Sequence, residues 1–209
     1  MPLVKTINQS LPDRGIIMMA AEVLKDGGIV IVPTETKYGM AVRIDDPLCL
    51  ERLYQIKKRE KNLPTAIFVR SIEEISHFGI LNKFSSRLAE SFLPGPMTLV
   101  IPAKPGYGPP LTAENRIGIR YSSSDVIDDL LENVQFNFTA TSANVSGTGE
   151  LTHISEIADL FGDEIDLYLD AGPLDSISST VIDCTGNTPQ VLRPGAVSEE
   201  QIRLSLGDF

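Results

Sequence analysis

The chain is poor in the residues that most often build metal and thiol sites. Its 209 residues include two cysteines, two histidines and no tryptophan. Cys49 and Cys184 lie far apart and without CxxC spacing, and His77 and His153 are equally isolated. This pattern indicates neither a zinc site nor a disulfide framework. We therefore expect no metal held by protein ligands, and no catalysis built on histidine, cysteine or zinc.

Long apolar runs are also missing. The longest, such as residues 29–33 and 99–103, are far shorter than the roughly 20 residues that span a bilayer. The N-terminal residues lack the apolar core of a signal peptide, so we expect a cytoplasmic protein without membrane contact. The GxxxxGK[ST], GxGxxG and GxSxG patterns are absent as well. Nucleotide binding by a P-loop or a Rossmann fingerprint is therefore not indicated.

The charge is negative overall but uneven. With 28 acidic and 18 basic residues the net charge is −10, which argues against a general basic surface that coats nucleic acid. Six basic residues nevertheless fall within residues 52–70, namely Arg52, Lys57, Lys58, Arg59, Lys61 and Arg70. Such a cluster on an acidic protein favours a compact anionic ligand, and a solvated basic helix end is the commoner alternative.

Length and hydrophobic pattern predict one α/β domain. Strand-like segments outnumber what a simple βαβ repeat gives, so a twisted mixed sheet with flanking helices is favoured over a Rossmann fold. We expect a single domain over residues 1–209, with a core from about 10 to 207 and no additional C-terminal domain. The Pro/Gly-rich segment 103–115 is predicted to be a mobile loop and is a candidate lid.

A strand that runs into a hydroxyl-rich loop is the first candidate site. In residues 27–39, GGIVIVPTETKYG, a β-branched run typical of a strand buried on both faces ends at Pro33. Donors, acceptors and both charges follow in Thr34, Glu35, Thr36, Lys37 and Tyr38. Ligands of α/β proteins bind beyond strand ends, which favours a substrate loop. An ordinary polar turn between strands remains the alternative.

Other strand ends carry similar groups. Residues 141–147, TSANVSG, follow an apolar strand, and their hydroxyl and amide groups can bond a phosphate, sugar or base. Arg120 ends the strand IGIR, and Arg193 follows another strand in LRPG. Two arginines at strand ends suggest carboxylate or phosphate recognition, with surface salt bridges as the alternative. Ser179 belongs to a third hydroxyl cluster, before VIDC.

The order of these motifs carries more information than any one of them. Taken together, PTETKYG, KKRE, PGPMTLVIP, IGIRY, TSANVSG, SSTVID and VLRPG resemble the YrdC-like family (YrdC, TsaC and YciO), the L-threonylcarbamoyladenylate synthases. The resemblance runs from about residue 27 to 196. It implies an α/β sheet curved around a concave basic cavity, and a nucleotidyltransferase that makes threonylcarbamoyl-adenylate and pyrophosphate from L-threonine, bicarbonate and ATP, with Mg²⁺ held mainly by the phosphates.

The same resemblance implies partners and residue roles. The product serves the N6-threonylcarbamoyl modification of adenosine 37 in tRNA, so tRNA or double-stranded RNA and a downstream threonylcarbamoyl-transferase complex are implied partners. The residues implied to contact ATP are Lys57, Arg59, Ser142, Asn144 and Arg193. Those implied to surround L-threonine are Thr34, Thr36, Tyr38, Arg120 and Ser179. Among them Lys57 and Arg59 are the implied catalytic pair, which stabilises charge at the phosphates, and no protein general base is assigned.

Three positions depart from the family pattern. Leu63 stands where Lys or Asn is usual, Phe68 where many members have His, and Glu150 where a serine often contacts ATP. A carboxylate beside phosphates repels them. A divergent, noncatalytic YciO-like paralogue that binds RNA or nucleotide is therefore an alternative, as is a carbamoyl-adenylate enzyme that acts on carbamoyl phosphate.

Overall fold

In the computed structural model, which describes residues 2–207, helices flank one mixed β-sheet. The predicted domain limits at residues 1 and 209 lie outside the described residues. The elements in chain order are β1 (Val4–Thr6), α1 (Arg14–Lys25), β2 (Val30–Pro33), β3 (Tyr38–Ala41), α2 (Pro47–Ile56), β4 (Ala66–Phe68), α3 (Ile72–Phe78), α4 (Lys83–Phe92), β5 (Met97–Pro102), β6 (Thr112–Ala113), β7 (Arg116–Arg120), α5 (Asp125–Asn133), β8 (Thr139–Ser142), α6 (Ile154–Phe161), β9 (Leu167–Asp170), β10 (Thr180–Asp183), β11 (Gln190–Arg193) and α7 (Glu199–Leu206).

The sheet mixes parallel and antiparallel pairs. Its strand order is β1-β9-β2-β3-β8-β4-β7-β5-β10-β11, and β6 pairs with β7 beside this path. The parallel pairs are β1 with β9, β2 with β9, β4 with β7 and β5 with β10, and the other pairs are antiparallel. The predicted mixed α/β sheet is confirmed.

Strand β2 is buried on both of its faces, as its β-branched run predicts. Ile29 and Ile31 belong to the core on one face, together with residues of α2 and α6. Val30 and Val32 belong to the core on the other face, under α1 and α5. Each such side chain contributes roughly 1.5–3 kcal/mol on burial. The strand therefore fixes the position of the polar turn that follows it.

Local signals at the ends of α2 place the basic cluster. The Asp46 carboxylate accepts a hydrogen bond from the Leu48 amide at 2.8 Å, and Pro47 occupies the first turn. After the helix, Lys58 takes a positive φ of 48° and the Arg59 amide donates to the Tyr54 carbonyl. This reversal carries the chain from α2 back towards β4.

Two details of the sheet differ from the sequence-based expectation. β1 precedes the predicted start of the core at residue 10; it is an edge strand, with Val4 41% exposed, so its sequence shows no buried alternation. The apolar run before TSANVSG predicts a strand over residues 136–140, whereas β8 begins at Thr139 and includes Thr141 and Ser142, because β3 and β4 pair with it there. Pro33 is the last residue of β2, so this strand ends where the sequence predicts.

The two thiols are buried on separate elements. Burial raises the pKa of Cys49 to about 11 and that of Cys184 to about 12.

Helix α1, with 12 residues, is the longest of the described helices, and within residues 2–207 no helix is both long and apolar enough to cross a membrane.

Candidate functional site

A cavity of about 520 Å³ lies over one face of the central strands. On four of the central strands, lining residues lie two positions apart, and residues so spaced share a face of a strand. These pairs are Ala66 and Phe68 on β4, Thr98 and Val100 on β5, Gly118 and Arg120 on β7, and Ala140 and Ser142 on β8. Ala66, Gly118 and Ala140 have little or no side chain, so the floor of the cavity leaves room for a ligand.

The lining carries more positive than negative charge. Its basic residues are Lys37, Arg59, Arg116, Arg120 and Arg193, and its acidic residues are Glu114 and Glu150. A net positive lining in a chain of net charge −10 concentrates attraction for anions at this cavity. The predicted basic cavity over a mixed sheet is therefore present.

Arg120 is the most deeply placed of these cations, with 9% of its surface exposed. Its Nη2 donates to Thr36 Oγ1 at 2.7 Å and lies 3.1 Å from Glu35 Oε1, and its guanidinium lies 5.5 Å from the ring centre of Phe68. Ser122 Oγ donates to the other oxygen of Glu35. Within residues 2–207, Arg120 Nε has no hydrogen-bond partner. A guanidinium that lines a cavity can bind a carboxylate through its planar fork of N–H groups.

The hydroxyl-rich loop is the turn of the β2–β3 hairpin and also a wall of the cavity. Thr34 Oγ1 donates to the Lys37 carbonyl at 2.7 Å and accepts from the Thr36 amide at 3.1 Å. Thr34 and Thr36 are both buried. The two interpretations left open by the sequence, a polar turn and a substrate loop, are therefore compatible, because a self-bonded turn presents fixed hydroxyls to the cavity.

Tyr38 borders the cavity, but its hydroxyl is engaged elsewhere. The hydroxyl donates to the Gly172 carbonyl at 2.7 Å and accepts from the Ala171 amide at 2.9 Å. Burial raises the pKa of Tyr38 to about 12. This side chain ties β3 to the segment after β9.

Arg193 and Glu150 meet at the β10–β11 side of the cavity. Arg193 Nη2 donates to the Ser179 carbonyl at 2.9 Å and to Ser179 Oγ at 3.1 Å. Its Nη1 lies 3.8 Å from Glu150 Oε1, and Ser178 Oγ donates to Glu150 Oε2. Burial lowers the pKa of Arg193, and the Glu150 carboxylate partly offsets that effect. A residue predicted to contact ATP therefore touches one predicted to contact threonine.

Arg59 reaches the cavity, whereas Lys57 lies behind it. Arg59 Nε and Nη2 donate to the carbonyls of Leu63 and Pro64, each at 2.9 Å. Lys57 is 1% exposed, and its Nζ donates to the carbonyls of Ser142 and Asn144. Burial lowers the pKa of Lys57 to about 7. In this arrangement Lys57 holds the loop after β8.

The loop after β8 is bonded to itself. Ser142 Oγ donates to Asn144 Oδ1 at 2.6 Å, and Asn144 Nδ2 donates to the Thr148 carbonyl at 2.8 Å. Ser142 lines the cavity, whereas Asn144 is buried outside the lining. The predicted site residues that line the cavity are Thr34, Thr36, Tyr38, Arg59, Arg120, Ser142, Ser179 and Arg193. Their ligand contacts, and those of Lys57 and Asn144, stay predictions.

Several residues that line the cavity were not predicted as site residues from the sequence. Thr98, Val100 and Arg116 lie on β5 and β7, and Leu192 lies on β11. The alternation of side chains along a strand could have identified Arg116, because it and Gly118 precede Arg120 by four and two positions and so share its face of β7. The three departures from the family pattern, Leu63, Phe68 and Glu150, all line the cavity too.

Residues of the Pro/Gly-rich segment 103–115 line both this cavity and a second one of about 740 Å³. Ala113 and Glu114 line the first cavity, and Tyr107 packs on Phe78 beside the second, with ring centres 5.2 Å apart. The segment includes β6. Its proposed closure as a lid stays a prediction.

Metal ligands are not clustered in the described part of the chain. Across residues 2–207, no group of three or more His, Cys, Asp or Glu side chains is arranged to hold a metal ion.

Known proteins resemble this chain in both sequence and structure. A threonylcarbamoyl-AMP synthase of Pyrococcus abyssi is 30% identical over 196 residues, which cover 92% of this chain and 58% of that protein. The chain thus spans about three-fifths of that relative. The crystal structure of P. abyssi Sua5 complexed with L-threonine superposes with a TM-score of 0.92 at 28% identity, over 98% of this chain and 61% of that one.

A second structural neighbour matches over nearly its full length. The crystal structure of Escherichia coli YciO has a TM-score of 0.87 at 27% identity, over 94% of this chain and 97% of that one. The family model for Sua5, YciO and YrdC, described as "Telomere recombination", matches residues 22–195. Homologues named threonylcarbamoyl-AMP synthase support a transferase. With most of its length matched by the family model, this chain belongs to the Sua5/YciO/YrdC family.

Proposed function

We propose that this protein is a threonylcarbamoyl-AMP synthase, which converts L-threonine, bicarbonate and ATP into threonylcarbamoyl-adenylate, pyrophosphate and water. The observation that carries the proposal is Arg120, whose side chain lines the same cavity as Arg59 and Arg193. One cavity thus offers a carboxylate site together with two further cations. The likeness to P. abyssi Sua5 complexed with L-threonine supports the assignment of threonine to this cavity.

At the threonine end, Arg120 binds the carboxylate. Thr34, Thr36 and Ser179 supply buried hydroxyls around it. Thr36 already bonds Arg120, so the turn orients the guanidinium before the substrate arrives. A preoriented donor loses little freedom when it binds, which favours affinity.

At the nucleotide end, Arg59 and Arg193 attract the phosphates and Ser142 adds a hydroxyl. The oxygens of the triphosphate would hold Mg²⁺, which would offset part of their negative charge. Lys57 supports this end through the loop that carries Ser142 and Asn144. A direct contact of Lys57 with phosphate requires its Nζ to leave the two carbonyls that it now bonds.

The reaction needs positioning and positive charge more than a protein nucleophile. The neutral amine of threonine combines with bicarbonate to give a carbamate and water. A carbamate oxygen then attacks the α-phosphorus, the bond from this phosphorus to the bridging oxygen breaks, and pyrophosphate leaves. Both reactants are anions, so cations that hold them close together lower the barrier.

The proposal is tested by incubating the protein with ATP, bicarbonate and labelled threonine, with each substrate omitted in turn. We expect pyrophosphate and labelled threonylcarbamoyl-adenylate only when all three are present. Arg120→Met should abolish product, whereas the exposed Arg14→Met, outside the cavity, should leave it unchanged. If wild type makes no product under conditions in which a known synthase does, the proposed function is wrong.

A YciO-like paralogue that binds nucleotide or RNA without synthesis is the second candidate. It is favoured by the position of Leu63, Phe68 and Glu150 in the cavity lining and by the match to E. coli YciO over 97% of its length. RNA binding should weaken steeply with salt and need no threonine.

For an active synthase, we propose a cytoplasmic role in tRNA modification, with a threonylcarbamoyl-transferase complex consuming the product.

A further inference from the structure

Glu150 places a carboxylate on the side of the cavity assigned to phosphates. Its Oε1 lies 3.8 Å from Arg193 Nη1, and its Oε2 accepts a hydrogen bond from Ser178 Oγ. Its side chain is 26% exposed, so the carboxylate is held at the wall yet open to the cavity. An anion already stands where an anionic ligand of Arg193 would bind.

The influence of this carboxylate extends beyond one arginine. Burial lowers the pKa of both Lys57 and Arg193, and Glu150 opposes the shift in each case. Glu150 therefore favours the charged form of two residues implied to contact ATP, of which Arg193 is its ion-pair partner.

The other cavity cations are arranged differently. Arg120 pairs with Glu35, which Ser122 holds in place on the threonine side. Arg116 pairs with Asp183 at 2.9 Å and with Glu114. Arg59 donates to backbone carbonyls, which carry no net charge. Glu150 is thus the cavity carboxylate that faces the phosphate side.

The segment before Glu150 is exposed at residues 147–149. Two contacts hold the Glu150 carboxylate, the ion pair with Arg193 and the hydrogen bond from Ser178. Its displacement costs one ion pair of long, imperfect geometry and one hydrogen bond.

We propose that Glu150 is an internal competitor of the phosphate-bearing ligand: its carboxylate occupies the anion position beside Arg193, and the phosphates of a nucleotide displace it. The inference rests on the proposed function for the identity of that ligand. It makes affinity depend on ligand charge, because Glu150 opposes phosphates and has no such effect on a neutral nucleoside.

The test is calorimetric titration of wild type and Glu150→Gln with ATP, ADP and adenosine at constant salt and Mg²⁺. Removal of the negative charge should tighten ATP binding roughly three- to tenfold, tighten ADP binding less, and leave adenosine unchanged. Glu150→Ser, which restores the residue that the family pattern favours, should act in the same direction. The control is Glu90→Gln, which changes the net charge equally on the exposed surface of α4; it should change nothing.

ATP binding that is unchanged, weaker or undetectable in both Glu150 variants overturns the inference. Weaker adenosine binding in Glu150→Gln also overturns it, because the carboxylate would then be a ligand of the nucleoside. The proposed function fails separately. If the Glu150 variants bind ATP more tightly but the protein makes no threonylcarbamoyl-adenylate, the inference holds and the proposed synthase function is wrong. If the protein makes product but the Glu150 variants bind ATP more weakly, the synthase function holds and the inference is wrong.

Discussion

Arg120 Nη2 donates a hydrogen bond of 2.7 Å to Thr36 Oγ1, and this bond joins the end of β7 to the turn between β2 and β3. The two residues lie 84 positions apart in the chain. Two strand ends separated in the sheet by β3, β8 and β4 therefore converge on one buried cation.

The arginine at this junction should be needed for its fork geometry as well as its charge. We expect Arg120→Lys to weaken threonine binding roughly 10- to 100-fold, because lysine cannot bond Thr36 and a carboxylate in the same planar arrangement. Isothermal titration with L-threonine measures the effect. Arg14→Lys is the control, and equal affinity in the two variants would contradict the assignment of the carboxylate to Arg120.

The Tyr38 hydroxyl should matter for stability rather than for ligand binding. Tyr38→Phe leaves the Gly172 carbonyl and the Ala171 amide without their partner, which should cost about 1–3 kcal/mol of unfolding free energy. Urea denaturation gives this value, and the half-buried Tyr121→Phe is the comparison. A large loss of threonine affinity at full stability would instead make Tyr38 a ligand.

Lys57 should impose a pH dependence on stability. Its pKa is lowered from 10.5 to about 7 in the folded state, so between these values the unfolded chain binds more protons. Stability should therefore rise with pH in this window, by up to about 1.4 kcal/mol per pH unit. Urea denaturation of wild type and Lys57→Met at pH 7, 8 and 9 isolates the contribution. Equal slopes in the two proteins would show that the lysine is not buried as described.

Gly195 of the LRPG motif should be required for packing. A Cβ at this position would lie 2.3 Å from the Ser178 carbonyl oxygen and 2.5 Å from the Thr180 amide nitrogen. Because both atoms belong to the backbone, Gly195→Ala should cost about 3 kcal/mol or more. Gly108→Ala, where a Cβ meets nothing within 4 Å, should change the free energy of unfolding little. Thermal unfolding of the two variants measures the difference, and equal midpoint temperatures for Gly195→Ala and Gly108→Ala would contradict the predicted clash.

Helices were the most predictable part of the fold. The sequence predicts helices over residues 14–25 and 83–92, and α1 and α4 have these bounds. β1 was not predictable, because it is an exposed edge strand that depends on β9 for its pairing. Its formation depends on a partner more than 160 residues away, which no local pattern records.

The site also has a part that was predictable from the sequence and a part that was not. Hydroxyls and arginines at strand ends, such as Thr36 and Arg120, were predictable because their chemistry is visible in the sequence. Gly118 and Ala140 were not, since a cavity floor consists of absent side chains. The burial of Lys57 was missed because a lysine beside other cations at a helix end is usually solvated.

The burial of Cys49 and Cys184 has a practical consequence. With thiol pKa values of about 11 and 12, both are protonated and shielded at neutral pH, where alkylating dyes react only with accessible thiolates. An introduced surface cysteine can therefore be labelled in the natural background. A fluorophore at Gly149→Cys would report in real time how the segment that carries Glu150 responds to a ligand.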